Sequence, residues 1–143
     1  MTLRVELVVP DGEIWSGNAR MVIAKTLDGD IGLQAGHPPV LGILAEGSLV
    51  RILDPEVGGE AQGGEAQGGE VVVAVSSGFL AVADDRVSIL SRQAEVGRQV
   101  DRAAAQAQLD AALEEAGSLA PGEQEPTEVK YSRALLRAAG ERS

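Results

Sequence analysis

The sequence contains no cysteine, one histidine, and one residue each of tryptophan, tyrosine and phenylalanine. Without cysteine, disulfides and thiolate metal sites are excluded. A metal site or a catalytic triad would have to be built around His37, and the sequence near it shows no pattern of partner groups for either. Because aromatic side chains are so rare, aliphatic residues must fill the core, and this composition favours β-sheet.

Positive charge is also scarce. The chain carries 12 Lys and Arg against 22 Asp and Glu, a formal net charge of −10. A protein that binds nucleic acid needs a cationic surface to displace counterions from phosphate, and anionic lipid surfaces likewise attract positive charge. We therefore expect no nucleic-acid partner. No apolar run approaches the roughly 20 residues of a membrane-spanning helix, so if the protein works at a membrane, we expect another chain to anchor it.

Hydrophobic periodicity predicts an all-β sandwich of about ten short strands over residues 1–91. Leu3, Val5 and Leu7 alternate with polar residues, which is typical of a strand with one buried face. Residues 71–75 form a continuous apolar run, which predicts a strand at the centre of a sheet. Asp84 and Asp85 separate two further apolar runs and predict a two-residue hairpin turn.

A low-complexity segment interrupts the strands at residues 56–70, where Gly-Gly-Glu-Ala-Gln occurs twice. Such a segment has almost nothing to bury and cannot offset the entropy lost on ordering. We interpret it as a mobile hairpin loop. A partner-binding repeat is the alternative.

After the strands, residues 92–143 predict an antiparallel helical hairpin, with helices at about 101–116 and 127–139. Asp101 is placed to cap the first helix. In the second helix, Tyr131, Leu135 and Ala138 share one face. The first helix is rich in alanine, which buries little apolar area, so we expect the hairpin to be able to detach from the sandwich.

Residues 29–41 read Gly-Asp-Ile-Gly-Leu-Gln-Ala-Gly-His-Pro-Pro-Val-Leu. With Val-Pro-Asp-Gly at 9–12, Trp-Ser-Gly at 15–17 and Ser-Gly-Phe-Leu-Ala-Val at 77–82, this segment resembles the epsilon subunit of the F-type ATP synthase. Three positions depart from the family pattern: Asp30 replaces a frequent Glu, Ala35 the usual Pro, and Pro38 a frequent Ala. The resemblance covers essentially the whole sandwich, whereas the helical part matches only in type.

The resemblance implies a central-stalk (rotor) subunit that has no catalytic residues of its own. Such a subunit couples the gamma subunit to the membrane c-ring in proton-driven ATP synthesis, at the cytoplasmic face of the bacterial cell membrane. One face of the sandwich is expected to pack on gamma. The contact with the c-ring is expected to involve Asp30, Gly36, His37, Pro39, Val40 and Leu41.

The resemblance also implies a role for the second helix. In many relatives the hairpin leaves the sandwich, extends along gamma and blocks ATP hydrolysis through basic residues that meet the catalytic beta subunits. Here Lys130, Arg133 and Arg137 lie at i, i+3 and i+7 and are expected to form this inhibitory face. The alternative is a solvated helix side whose positive charge favours the helix dipole. Because the predicted helix is short, we expect weak or partial inhibition.

Some relatives bind ATP through a helix-start motif, Ile/Leu-Asp-x-x-Arg-Ala. Val100 and Asp101 begin this motif, but the available arginine is Arg102, which lies about 100° round the helix from Asp101. Asp101 and Arg102 are thus poor candidates for a nucleotide site, and we expect no cofactor. The alternative function is a stand-alone nucleotide-sensing β-sandwich protein.

Overall fold

The computed structural model describes residues 2–54, 69–117 and 125–140. Within these ranges a β-sandwich is followed by a single 3₁₀ turn at Gly97–Gln99 and by two helices, which confirms the predicted fold class. The strands are β1 (Leu3–Val9), β2 (Gly12–Ala19), β3 (Met21–Thr26), β4 (Gly29–Gln34), β5 (Val40–Ile43), β6 (Ser48–Leu53), β7 (Glu70–Val75), β8 (Gly78–Ala83), β9 (Arg86–Ser91) and β10 (Ala94–Val96). The helices are α1 (Arg102–Ala116) and α2 (Thr127–Gly140). The predicted loop at residues 56–70 lies outside the described residues except for Gly69 and Glu70.

The strands form two five-stranded sheets, with the orders β2-β1-β9-β8-β5 and β10-β7-β6-β3-β4. The pairing of β1 with β9 is parallel and the other pairings are antiparallel. Leu3, Val5 and Leu7 of β1 point into the core, as their alternation predicts. The indole of Trp15 is fully buried in the same core. An added methyl on Gly17 would come within 2.9 Å of that ring, so Gly17 leaves room for it.

The turn between β8 and β9 has the predicted two residues. Asp84 and Asp85 have φ of 51° and 60°, and Ala83 pairs with Arg86 across the turn. Positive φ at both positions is the backbone of a type I′ turn, whose twist matches that of the two strands. Aspartate tolerates this left-handed region better than most residues.

The apolar run of β7 has a different cause from the one expected. β7 is not the central strand, because β10 flanks it on one side and β6 on the other, at one side of the sheet. Val71, Val73 and Val75 face the other sheet, whereas Val72 and Ala74 are covered by α2. A strand that is buried on both faces reads as continuously apolar wherever it lies in the sheet.

The hairpin is held to the sandwich by α2 and not by the alanine-rich α1. Tyr131, Ala134, Leu135 and Ala138 of α2 pack on the outer face of the second sheet. The buried residues of α1 are Ala105 and Leu109, so most of that helix remains exposed. The contact between hairpin and sheet therefore includes two large side chains, Tyr131 and Leu135, and buries more apolar area than an alanine seam would.

Candidate functional site

The six residues that the resemblance assigns to the c-ring contact do not lie together. Asp30 is exposed at the start of β4, whereas Gly36, His37 and Pro39 lie in the loop that follows β4. Gln34 lies four positions after Asp30 along the extended strand, a distance of about 13 Å. Asp30 and His37 are therefore at opposite ends of the sandwich.

At the Asp30 end, Thr26 holds the tight turn between β3 and β4. Its hydroxyl donates a hydrogen bond to the carbonyl oxygen of Gly29 at 2.8 Å and accepts one from the backbone N–H of Asp28 at 3.1 Å. Leu27 projects from this turn and is largely exposed. This turn therefore presents the apolar side chain of Leu27 beside two exposed carboxylates, Asp28 and Asp30.

At the other end, the loop that carries His37 is tied to the turn between β8 and β9. The backbone N–H of Gly36 donates to Asp85 Oδ1 at 2.7 Å, and Gly36 has φ of 88°. The His37 N–H donates to the carbonyl oxygen of Gln34 at 3.1 Å, and its ring Nδ1 lies 2.7 Å from the carbonyl oxygen of Pro38. His37 is thus a loop histidine that contacts backbone.

A band of exposed apolar side chains crosses the outer face of the first sheet. Ile43 of β5 is in register with Phe79 of β8, and Phe79 with Leu90 of β9, so these three side chains form one row. Leu41 lies beside this row on β5, and Val8 extends it on β1. The exposed fractions are 70% for Leu41, 55% for Ile43, 39% for Phe79 and 40% for Leu90. We call these five residues the apolar row.

Sequence analysis identified only Leu41 of the apolar row as a site residue, together with its neighbour Val40. In the structure Val40 packs against the core, and the two residues face opposite sides of the strand. Ile43, Phe79 and Leu90 were missed because β8 and β9 also carry apolar residues on their inner faces. The sequence does not distinguish inner from outer positions here, because residues 79–83 are apolar throughout.

The three basic residues of the predicted inhibitory face are engaged within the chain. Lys130 Nζ lies 3.7 Å from Glu46 Oε1, and Arg137 Nη2 donates to the carbonyl oxygen of Gly47 at 3.0 Å. Arg133 pairs with Glu125 at 2.7 Å, just before α2. Lys130 and Arg137 thus contact the turn between β5 and β6, whereas Arg133 does not.

Asp101 caps α1, as its position predicts, and its Oδ1 accepts a hydrogen bond from the Ala104 N–H at 3.1 Å. The neighbouring Arg102 is exposed. Burial raises the pKa of Glu95 on β10, and the nearby charge of Asp101 raises it further. Burial, and secondarily the charge of Glu95, raises the pKa of Tyr131 to about 12. Asp101, Glu95 and Tyr131 therefore form a cluster of interacting acidic groups at the junction of sandwich and helices.

Within residues 2–54, 69–117 and 125–140, no helix is both long and apolar enough to cross a bilayer. Across the same residues, no group of three or more histidine, aspartate or glutamate side chains is arranged to hold a metal ion.

Comparison with known proteins gives one family and consistent relatives. Residues 2–97 match the family model described as ATP synthase, Delta/Epsilon chain, beta-sandwich domain. The chain is 46% identical over 138 residues to the ATP synthase epsilon chain of Thermobifida fusca, covering 96% of this chain and 91% of that relative. It is 38% identical over 119 residues to the ATP synthase epsilon chain of Streptomyces avermitilis, covering 82% of this chain and 86% of the relative.

Solved structures show the same fold. A chain in the cryo-EM structure of the Euglena gracilis mitochondrial ATP synthase, OSCP/F1/c-ring, matches with a TM-score of 0.64 at 21% identity and covers 99% of this chain and 81% of that one. A chain in the Tetrahymena thermophila mitochondrial ATP synthase central stalk/c-ring structure matches with a TM-score of 0.50 at 17% identity, covering 99% and 96% of the two chains.

Proposed function

The chain belongs to the ATP synthase delta/epsilon chain family, and from this premise we propose that it couples the gamma subunit to the membrane c-ring in the central stalk. As an epsilon-type chain it is a non-catalytic subunit of the ATP synthase. The observation that carries the proposal is the apolar row, a hydrophobic face that none of the described residues covers, on a strongly acidic chain.

We propose the apolar row as the surface that receives gamma. Single exposed apolar residues are ordinary, but a contiguous patch on the order of a few hundred Å² marks an interaction surface. The row is supported by the rigid ladder of β5, β8, β9 and β1, so binding would order few side chains. A stiff sheet is also suited to transmit torque as one body.

We propose the turn between β3 and β4 as the surface that rests on the c-ring. The resemblance assigns Asp30 to this contact, and Leu27 and Asp28 lie at the same end of the sandwich. Ion pairs between exposed carboxylates and ring cations would each contribute about 0.2–1 kcal/mol. Gly36, His37 and Pro39 lie at the far end, so this proposal leaves them out of the ring contact and places Leu41 with the gamma-facing row.

The docked position of α2 affects whether its basic residues could inhibit ATP hydrolysis. In the described conformation Lys130 and Arg137 contact the turn between β5 and β6, so these cations are occupied while α2 lies on the sheet. We propose that Lys130, Arg133 and Arg137 can reach acidic segments of the catalytic beta subunits only after α2 leaves the sheet.

Membership in the complex makes the chain peripheral to its membrane sector. We propose that the chain lies at the cytoplasmic face of a bacterial cell membrane and contacts the membrane only through the complex. The named relatives from Thermobifida and Streptomyces support the bacterial setting.

The test is a charge placed in the apolar row. Phe79→Glu should weaken co-purification with gamma at least about tenfold, because an unpaired carboxylate would be desolvated in the interface. Gln34→Glu is the matched control, since it adds the same charge to an exposed strand on the outer face of the other sheet. Emission of the buried Trp15 verifies that both variants are folded. Equal gamma binding by Phe79→Glu and the native chain would reject the apolar row as the gamma site.

A further inference from the structure

Two glycines of the sandwich lie directly beneath the backbone of α2. A methyl added at Gly47 would come within 2.3 Å of the Lys130 carbonyl carbon and 2.5 Å of its oxygen. A methyl added at Gly97 would come within 2.6 Å of the Ala138 carbonyl oxygen and 3.0 Å of its carbonyl carbon. Real Cβ atoms essentially never approach other atoms closer than 3.0 Å. Any side chain at either position would therefore displace the helix.

The two contacts support α2 near both of its ends. Lys130 and Ala138 are eight residues apart, which corresponds to about 12 Å along the helix axis. Gly47 belongs to the turn between β5 and β6, whereas Gly97 begins the 3₁₀ turn after β10. The two supports thus come from separate segments of the chain, one within the sandwich and one directly after it. The buried side chains Tyr131 and Leu135 lie between them along the helix.

Building on the release of α2 in the proposed function, we propose that Gly47 and Gly97 are contact points for the α2 backbone that set the balance between its docked and released states. We call these two contact points seats. A helix backbone that rests on a glycine allows its small residues, Ala134 and Ala138, to reach the sheet. The stability of the docked helix then depends on close backbone contact at Gly47 and Gly97 as well as on the apolar area that Tyr131 and Leu135 bury. Arg137 donates a hydrogen bond to the Gly47 carbonyl oxygen, and Lys130 forms an ion pair with Glu46. Both contacts form only when the α2 backbone rests against Gly47.

An alanine substitution has different effects at Gly47 and at Gly97. Gly47 has φ of 61°, so Gly47→Ala strains its own backbone as well as pushing on Lys130. Gly97 has no such constraint, because its φ lies outside the left-handed region. Gly97→Ala therefore isolates the steric effect on α2. Gly140→Ala is the matched control, since its methyl would meet only the mobile end of the Arg102 side chain at 3.3 Å.

The experiment measures backbone hydrogen exchange of the full chain, with α2 and the sandwich followed as separate peptides. Gly97→Ala should accelerate exchange in α2 by about tenfold or more while the sandwich strands keep their protection. Gly140→Ala should leave α2 at least as protected as in the native chain. The measurement requires no partner subunit, so its outcome does not depend on the proposed function.

Three results would contradict the proposed role of Gly47 and Gly97. Native protection of α2 in Gly97→Ala would show that the helix docks without the Gly97 contact. Loss of the buried Trp15 emission in Gly97→Ala would show that Gly97 serves the sandwich itself. Equal acceleration by Gly140→Ala would show that any methyl near this helix end has the effect.

Discussion

The ionisation of Tyr131 reports directly on the docking of α2. Tyr131 is the only tyrosine of the chain, and only 5% of its surface is exposed in the docked helix. Burial and the charge of Glu95 raise its pKa to about 12 from the ordinary value of 10.0. A released helix would return Tyr131 to water and to a pKa near the ordinary value. The native chain should therefore titrate well above a variant whose helix is released.

The sign and size of the effect follow from linkage. Because the pKa is raised in the docked state, the neutral phenol favours docking. Its contribution is fully present below pH 10 and is lost as the pH rises towards 12. A shift of about two units corresponds to about 3 kcal/mol, or about a hundredfold change in the ratio of docked to released helix. Docking of α2 should therefore weaken within this pH window.

The assay is the tyrosinate absorbance of the full chain as a function of pH, with Trp15 emission as the monitor of the sandwich. Tyr131→Phe should remove this contribution to the pH dependence of docking, because the variant has no phenol at position 131. Glu95→Gln should lower the pKa of Tyr131 but leave it above 10, since burial is the larger cause. Native titration near pH 10 with intact Trp15 emission would refute the buried, docked position of Tyr131.

Three further predictions concern the cap, the histidine loop and the inhibitory face. Asp101→Ala should lower the free energy of unfolding of α1 by about 1 kcal/mol, measured by urea titration of helical circular dichroism; no change would show that its bond to the Ala104 N–H is not stabilising. Asp85→Ala should speed hydrogen exchange of the Gly36 N–H in NMR spectra, because that donor loses its 2.7 Å acceptor; unchanged exchange would mean that the loop is held otherwise. Deleting residues 127–143 should raise the ATPase activity of the reconstituted complex, and unchanged activity would argue against inhibition by Lys130, Arg133 and Arg137.

Local patterns predicted much of the fold. The alternation of Leu3, Val5 and Leu7 marked a one-sided strand, and Asp84-Asp85 marked a two-residue turn. Both features depend on neighbours in the chain, so one sequence suffices to find them. The central position expected for β7 was wrong. A continuous apolar run indicates that both faces of a strand are buried, but it does not tell where in the sheet the strand lies. In β7 one face is buried by the other sheet and the second face by α2.

The site was harder to predict, since it depends on distances across the fold. Asp30 and His37 are seven positions apart and look like one motif, yet β4 separates them by most of its length. Phe79 and Leu90 pair within one hairpin, whereas Ile43 comes from a distant segment and joins them only through sheet register. Their exposure could not be read from the sequence, because the inner-face residues Leu80 and Ile89 are equally apolar.

The most direct test of the central claim is site-specific photo-crosslinking in the assembled complex. A photoreactive side chain replacing Phe79 should form an adduct with gamma, because the apolar row faces that subunit in the proposed arrangement. The same group replacing Gln34, on the outer face of the other sheet, should form none. An adduct with gamma from position 34 and none from position 79, in a complex that retains the chain, would contradict the account.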